Sequence, residues 1–81
     1  MILMHPVSTE KAIKIMELEN KITFVVDRRA SKKAILNAFA DEFKVKPLSV
    51  NTQIRNNKKI AVIKLGPETQ AADIASKLGM M

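Results

Sequence analysis

The stretch VNTQIRNNKK, residues 50–59, holds side chains that can do binding chemistry. Ser49, Asn51, Gln53 and Arg55 alternate with Leu48, Val50, Thr52 and Ile54, which is the period of a strand. One face then presents a hydroxyl, two amides and a guanidinium in a row. Such groups hydrogen-bond phosphate oxygens, ribose hydroxyls and base edges. The row runs into a cationic tip of Arg55, Asn56, Asn57, Lys58 and Lys59. A second cluster, RRASKK, gathers Arg28, Arg29, Lys32 and Lys33. Lys32 and Lys33 fall in the first turn of an expected helix, the end that attracts anions. An ordinary solvated face uses the same residue types, so spacing alone leaves both readings open.

Catalytic chemistry has little to work with. The chain has one histidine, no cysteine and no glycine-rich phosphate loop, its glycines being Gly66 and Gly79. Nucleophilic catalysis needs an activated nucleophile and a base. His5 is the one imidazole available, and beside Pro6 it reads as a turn residue at a helix entrance. Asp41 and Glu42 are adjacent on an expected helix and project about 100° apart, so they do not converge. No His, Asp and Glu set has metal-ligand spacing. The expectation is a binding protein without cofactor, metal or small-molecule substrate.

Elements must position these groups. Leu3 and its neighbours 2–4 predict a short first strand ended by His5-Pro6. Ser8 or Thr9 caps a helix to about Glu19, with Ala12, Ile13, Ile15 and Met16 as its apolar stripe. KITFVV predicts a strand with Ile22, Phe24 and Val26 on one face. Ser31 caps a helix through Phe43, burying Ile35, Leu36, Phe39 and Phe43. A strand of about Leu48 to Ile54, a loop Arg55 to Lys59 and a strand Ile60 to Leu65 form an antiparallel hairpin. A last helix starts near Thr69, buries Ala71, Ile74, Ala75 and Leu78, and stops at Gly79. The order β-α-β-α-β-β-α implies one α+β domain over residues 1–81 on a mostly antiparallel sheet.

Charge indicates the partner. The chain carries 14 Lys+Arg against 8 Asp+Glu, a net +6. Between Phe43 and Pro67 there is no acid, whereas Lys44, Lys46, Arg55, Lys58, Lys59 and Lys64 all fall there. A surface tuned for solubility intersperses signs. Segregated charge favours a polyanion, with an acidic protein partner as the alternative. Phe24, Phe39 and Phe43 all sit at core-like positions, which argues against base stacking on aromatics and for folded RNA. No apolar run reaches the roughly 18 residues of a membrane span. The N-terminal MILMHPV is short and lacks the basic leader of a signal peptide. A cytoplasmic setting without membrane contact is therefore expected.

Three motifs carry a family resemblance: HPVSTEKA (5–12), FVVDRRASKKAILNAF (24–39) and FKVKPLSVNTQ (43–53). In this order and spacing they resemble the L-twenty-three family of large-subunit ribosomal proteins. The C-terminal IASKLGMM is similar to its archaeal branch. The resemblance implies an α/β/α sandwich on a four-stranded antiparallel sheet. It implies binding to the third domain of large-subunit rRNA beside the polypeptide exit tunnel. It further implies a neighbour of the L-twenty-nine family and a docking surface for the signal recognition particle and nascent-chain factors. The family's Thr-Glu-Lys falls on Thr9, Glu10 and Lys11, making Glu10 the protein-docking candidate. Its Val-Asn-Thr falls on Val50, Asn51 and Thr52. Bacterial members carry a long hairpin, whereas about five residues are expected to join the strands here. The expected RNA-binding set is Lys11, Arg28, Arg29, Lys32, Lys33, Asn51, Thr52, Gln53, Arg55, Asn57, Lys58, Lys59 and Lys64.

Overall fold

Residues 2–78 are described by a computed structural model. Four strands and three helices follow the expected order: β1 (Leu3–Pro6), α1 (Glu10–Glu19), β2 (Lys21–Val26), α2 (Lys32–Phe43), β3 (Ser49–Arg55), β4 (Lys58–Lys64) and α3 (Ala71–Lys77). The strands form one antiparallel sheet of order β1-β2-β4-β3. The long link between β2 and β3 runs through α2, which lets β4 take the central place beside β2.

Local chemistry starts both long helices. The Thr9 hydroxyl accepts from the Ala12 amide at 3.2 Å, and the Ser31 hydroxyl accepts from the Ala34 amide at 3.1 Å. Asn20 and Lys44 end them in left-handed geometry, with φ of 56° at each. Asparagine tolerates that region better than most residues.

Register assigns the two sheet faces. Ile22, Phe24 and Val26 lie opposite Ile63, Ala61 and Lys59, and Val50 lies opposite Ile63. These apolar residues bury with Ile35 and Phe39 of α2 and Ala71, Ile74 and Ala75 of α3. Phe24, Phe39 and Phe43 meet there, with ring centroids 4.8 to 6.2 Å apart. The other face carries Lys21, Thr23 and Val25, then Lys64, Val62 and Ile60, then Ser49, Asn51, Gln53 and Arg55. Here α1 covers the sheet, its Ala12 and Ile15 lining one depression with Thr23, Ile60 and Val62. The result is three layers, α1 on one face and α2 with α3 on the other.

Several expectations need correction. β2 is buried on both faces, because helices lie on both sides. β1 extends through His5 and Pro6, with a bulge between Leu3 and His5. Pro6 is tolerated because β1 is an edge strand. Leu48 and Ile54 are not buried in the core; they are 60 % and 56 % exposed. β3 is the opposite edge, and only Val50, near its start, is buried. The hairpin loop shrinks to Asn56-Asn57, with φ of 49° and 64°. Two successive left-handed residues make a type I′ turn, whose twist matches a tight hairpin. α3 starts at Ala71 rather than near Thr69, and the expected stop at Gly79 lies outside the described residues.

Candidate nucleic-acid interface

The turn after β2 and the tip of the β3–β4 hairpin meet at one end of the sheet. Val26 pairs with Lys59, so Asp27, Arg28 and Arg29 follow directly beside the tip. Arg28, Arg29, Asn57, Lys58 and Lys59 line one depression of about 430 Å³, together with Met4, His5, Val25 and Val26. Arg28, Arg29, Asn57 and Lys58 are exposed. Lys32 and Lys33, also exposed, follow at the start of α2, a helix without an acid in its first turn.

Neighbouring groups differ in how free their charges are. Arg29 lies 3.6 Å from the Asp27 carboxylate through Nε. The Arg29 amide, donating to Asp27 Oδ1 at 2.9 Å, and then its guanidinium hold the Asp27 carboxyl below the usual carboxylate range. Lys59 points to the helix-pair face, and its Nζ donates to the Ala30 carbonyl at 2.6 Å. This bond ties the hairpin to the β2–α2 turn. Arg28, Lys32, Lys33, Arg55 and Lys58 have no ion-pair partner among the described residues.

Arg55 and Lys58 are cross-strand partners on the α1 face. Like charges directly opposite each other are unfavourable in an isolated hairpin. A bound anion reverses that sign. The pair therefore concentrates positive charge at the tip, a cost that a bound anion would relieve.

The polar row also finds a place. Asn51, Gln53 and Arg55 are exposed on the α1 face, across a shallow trough from Lys11, Ile15 and Glu19. Its floor is Ile60 and Val62 of β4. Sequence reading missed these floor residues. The signal was IAVI in β4, apolar on both faces, which a strand covered on one side does not need. Thr52 turns to the opposite face and is half-buried. Lys64 is exposed but sits at the far end of the sheet, between Lys21 and Ser49, so it does not join the tip. Glu10 is exposed in the first turn of α1, 3.7 Å from Lys14.

The fold is thus a small three-layered domain with a cationic sheet end and an amide-lined edge strand. No helix among the described residues is long and apolar enough to cross a membrane. A family model described as Ribosomal protein L23 matches residues 1–73. Relatives named Large ribosomal subunit protein uL23 include one from Methanothermobacter thermautotrophicus, 44% identical over 98% of this chain and 93% of its own length. Another, from Picrophilus torridus, is 40% identical over 96% of this chain and 95% of its own length. A third, from Puccinia graminis, is 44% identical over 98% of this chain, which spans about half of it, 51%. The chain belongs to the L23 family of ribosomal proteins, a family of structural components rather than enzymes.

Proposed function

We propose that the protein is a constituent of the large ribosomal subunit that binds rRNA through its cationic sheet end. The observation that carries this reading is the convergence of Arg28, Arg29, Asn57, Lys58 and Lys59 on one depression, although their two segments are far apart in sequence. Arg55, Lys32 and Lys33 extend the patch to both sides. Phosphate neutralisation by such a cluster supplies a large share of nucleic-acid affinity. Asn51 and Gln53 add directional hydrogen bonds.

Membership of the family supports the finer placement: the third rRNA domain, the rim of the exit tunnel and a neighbour of the L-twenty-nine family. Glu10, exposed and away from the core, is the contact for the signal recognition particle and nascent-chain factors. The two-residue hairpin turn is too short to reach far from the domain, so the tip serves as an rRNA anchor.

The test is a backbone footprint on large-subunit rRNA with and without the protein, repeated over a salt series. Protection should fall in the third domain. With about five phosphates neutralised, log affinity should fall against log salt with a slope on the order of −4. Protection confined to another domain, or affinity independent of salt, would overturn the reading.

A further inference from the structure

We propose that the trough between α1 and β3 holds a single unstacked nucleotide, a base extruded from the folded RNA that the cationic end anchors. This rests on the rRNA-binding reading and gives the polar row of β3 its ligand.

The trough consists of two adjoining depressions of about 170 and 280 Å³, which share Ile15, Gln53 and Val62. Each is smaller than the ~300–1,000 Å³ of a typical small-molecule pocket. Its floor, Ile60 and Val62, is half-buried and apolar. One wall is the amide row of Asn51 and Gln53. Neither amide head makes a hydrogen bond within the protein among the described residues.

Charge is distributed unevenly along it. At one mouth Lys21 is neutralised by Glu19 at 3.2 Å. At the other, Lys11 and Arg55 line the same depression and have no acidic partner among the described residues. The trough therefore offers an apolar floor, an amide wall and cations at one end. A nucleotide presents the matching set: a flat apolar face, a hydrogen-bonding edge and a phosphate on one side. Phosphate contact alone uses the cations and leaves the floor and the amides without a role. A duplex groove contact leaves the floor empty, because paired bases keep their faces stacked.

The geometry assigns each part. The phosphate sits between Lys11 and Arg55. The base lies on Ile60 and Val62, against Ile15, where aliphatic side chains take the part that aromatics play elsewhere. Gln53, with Asn51 beside it, pairs with the base edge, as amide side chains do with adenine. Unstacking costs a few kcal/mol and is least for a base already unpaired, so the ligand is a bulge or loop nucleotide.

The experiment is chemical probing of Watson–Crick edges on the large-subunit rRNA fragment, alongside the backbone footprint. Wild type, Gln53→Ala and Asn51→Ala are compared. Both side chains are exposed on an edge strand, so both variants should fold, and circular dichroism checks this. The expected result is one unpaired base protected by wild type that regains its free reactivity with Gln53→Ala. Its affinity should fall about tenfold, the scale of one good amide–base contact, while the backbone footprint and salt slope persist. Unpaired bases as reactive in the complex as in free RNA, with the backbone footprint intact, would overturn this inference alone. So would protection that survives both substitutions. Loss of all rRNA binding by wild type would overturn the parent reading with it.

Discussion

At the scale of the residue, single groups show where the free protein is not at its optimum. Thr23 is 7 % exposed and its hydroxyl has no hydrogen-bond partner among the described residues. An unsatisfied buried hydroxyl costs free energy that an apolar atom of the same size does not. Thr23→Val should stabilise the fold by about 1 kcal/mol, read from the urea midpoint at unchanged slope. A lower midpoint would mean that the hydroxyl has a partner after all. Asp27 gives a pH-dependent counterpart. Its carboxyl titrates below the ordinary 3.8, held down first by the Arg29 amide. A depressed carboxyl contributes stability above its unfolded value and loses it as pH falls through the folded value. The Arg29 amide resonance should therefore titrate with a midpoint below 3.8. A midpoint above 3.8 would contradict the hydrogen bond.

At the scale of the element, one side chain joins parts that are distant in sequence. Asn20 ends α1 and its Nδ2 donates to the Gly66 and Thr69 carbonyls at 3.1 and 2.8 Å. Its Oδ1 accepts from the Ala71 amide at 2.7 Å, capping α3, whose own cap residue Gln70 makes no side-chain bond. Asn20→Ala loses that cap and the Nδ2 bonds to the Leu65, Gly66 and Thr69 carbonyls, and places alanine at positive φ. A cost of about 3 kcal/mol is expected, with faster hydrogen exchange throughout α3. Asn20→Gly removes the backbone part of that cost, so it should fall between alanine and wild type. This tie also shows what was legible in the sequence. Thr9, Ser31 and the apolar spacings of α1 and α2 declared themselves, because caps and stripes are local. Asn20 as the cap of α3 did not, because its partner is 51 residues away. The hairpin was legible as a pair of strands but too long in its loop. Without glycine, Asn56 and Asn57 were not read as both residues of a type I′ turn. Alternation assigned Asn51, Gln53 and Arg55 to one face, but only the sheet order β1-β2-β4-β3 and the course of α1 placed Lys11 and Ile15 opposite them.

At the scale of the whole molecule, charge gathered at one end should give salt two opposite effects. The domain measures 29 × 26 × 20 Å, so charges at opposite ends lie well beyond the Debye length of ~10 Å at 0.1 M salt. Arg28, Lys32, Lys33, Arg55 and Lys58, by contrast, cluster around one end and repel each other in the free protein. Salt screens that repulsion. The Tm of the isolated protein should therefore rise by a few °C between about 0.05 and 0.5 M sodium chloride, as a gain of up to ~1 kcal/mol implies for a domain this size. The same increase should weaken rRNA binding steeply, because released counterions drive it. Arg55→Ala tests both signs through one residue. It removes the like-charge contact with Lys58, so the free protein should gain a few tenths of a kcal/mol at low salt and its Tm should depend less on salt. It also removes one of the proposed phosphate partners, so the slope of log affinity against log salt should flatten by about 1. A Tm that falls with added salt, or an Arg55→Ala protein less stable than wild type at low salt, would show that Arg55 is already compensated within the fold and is not held in reserve for an anion.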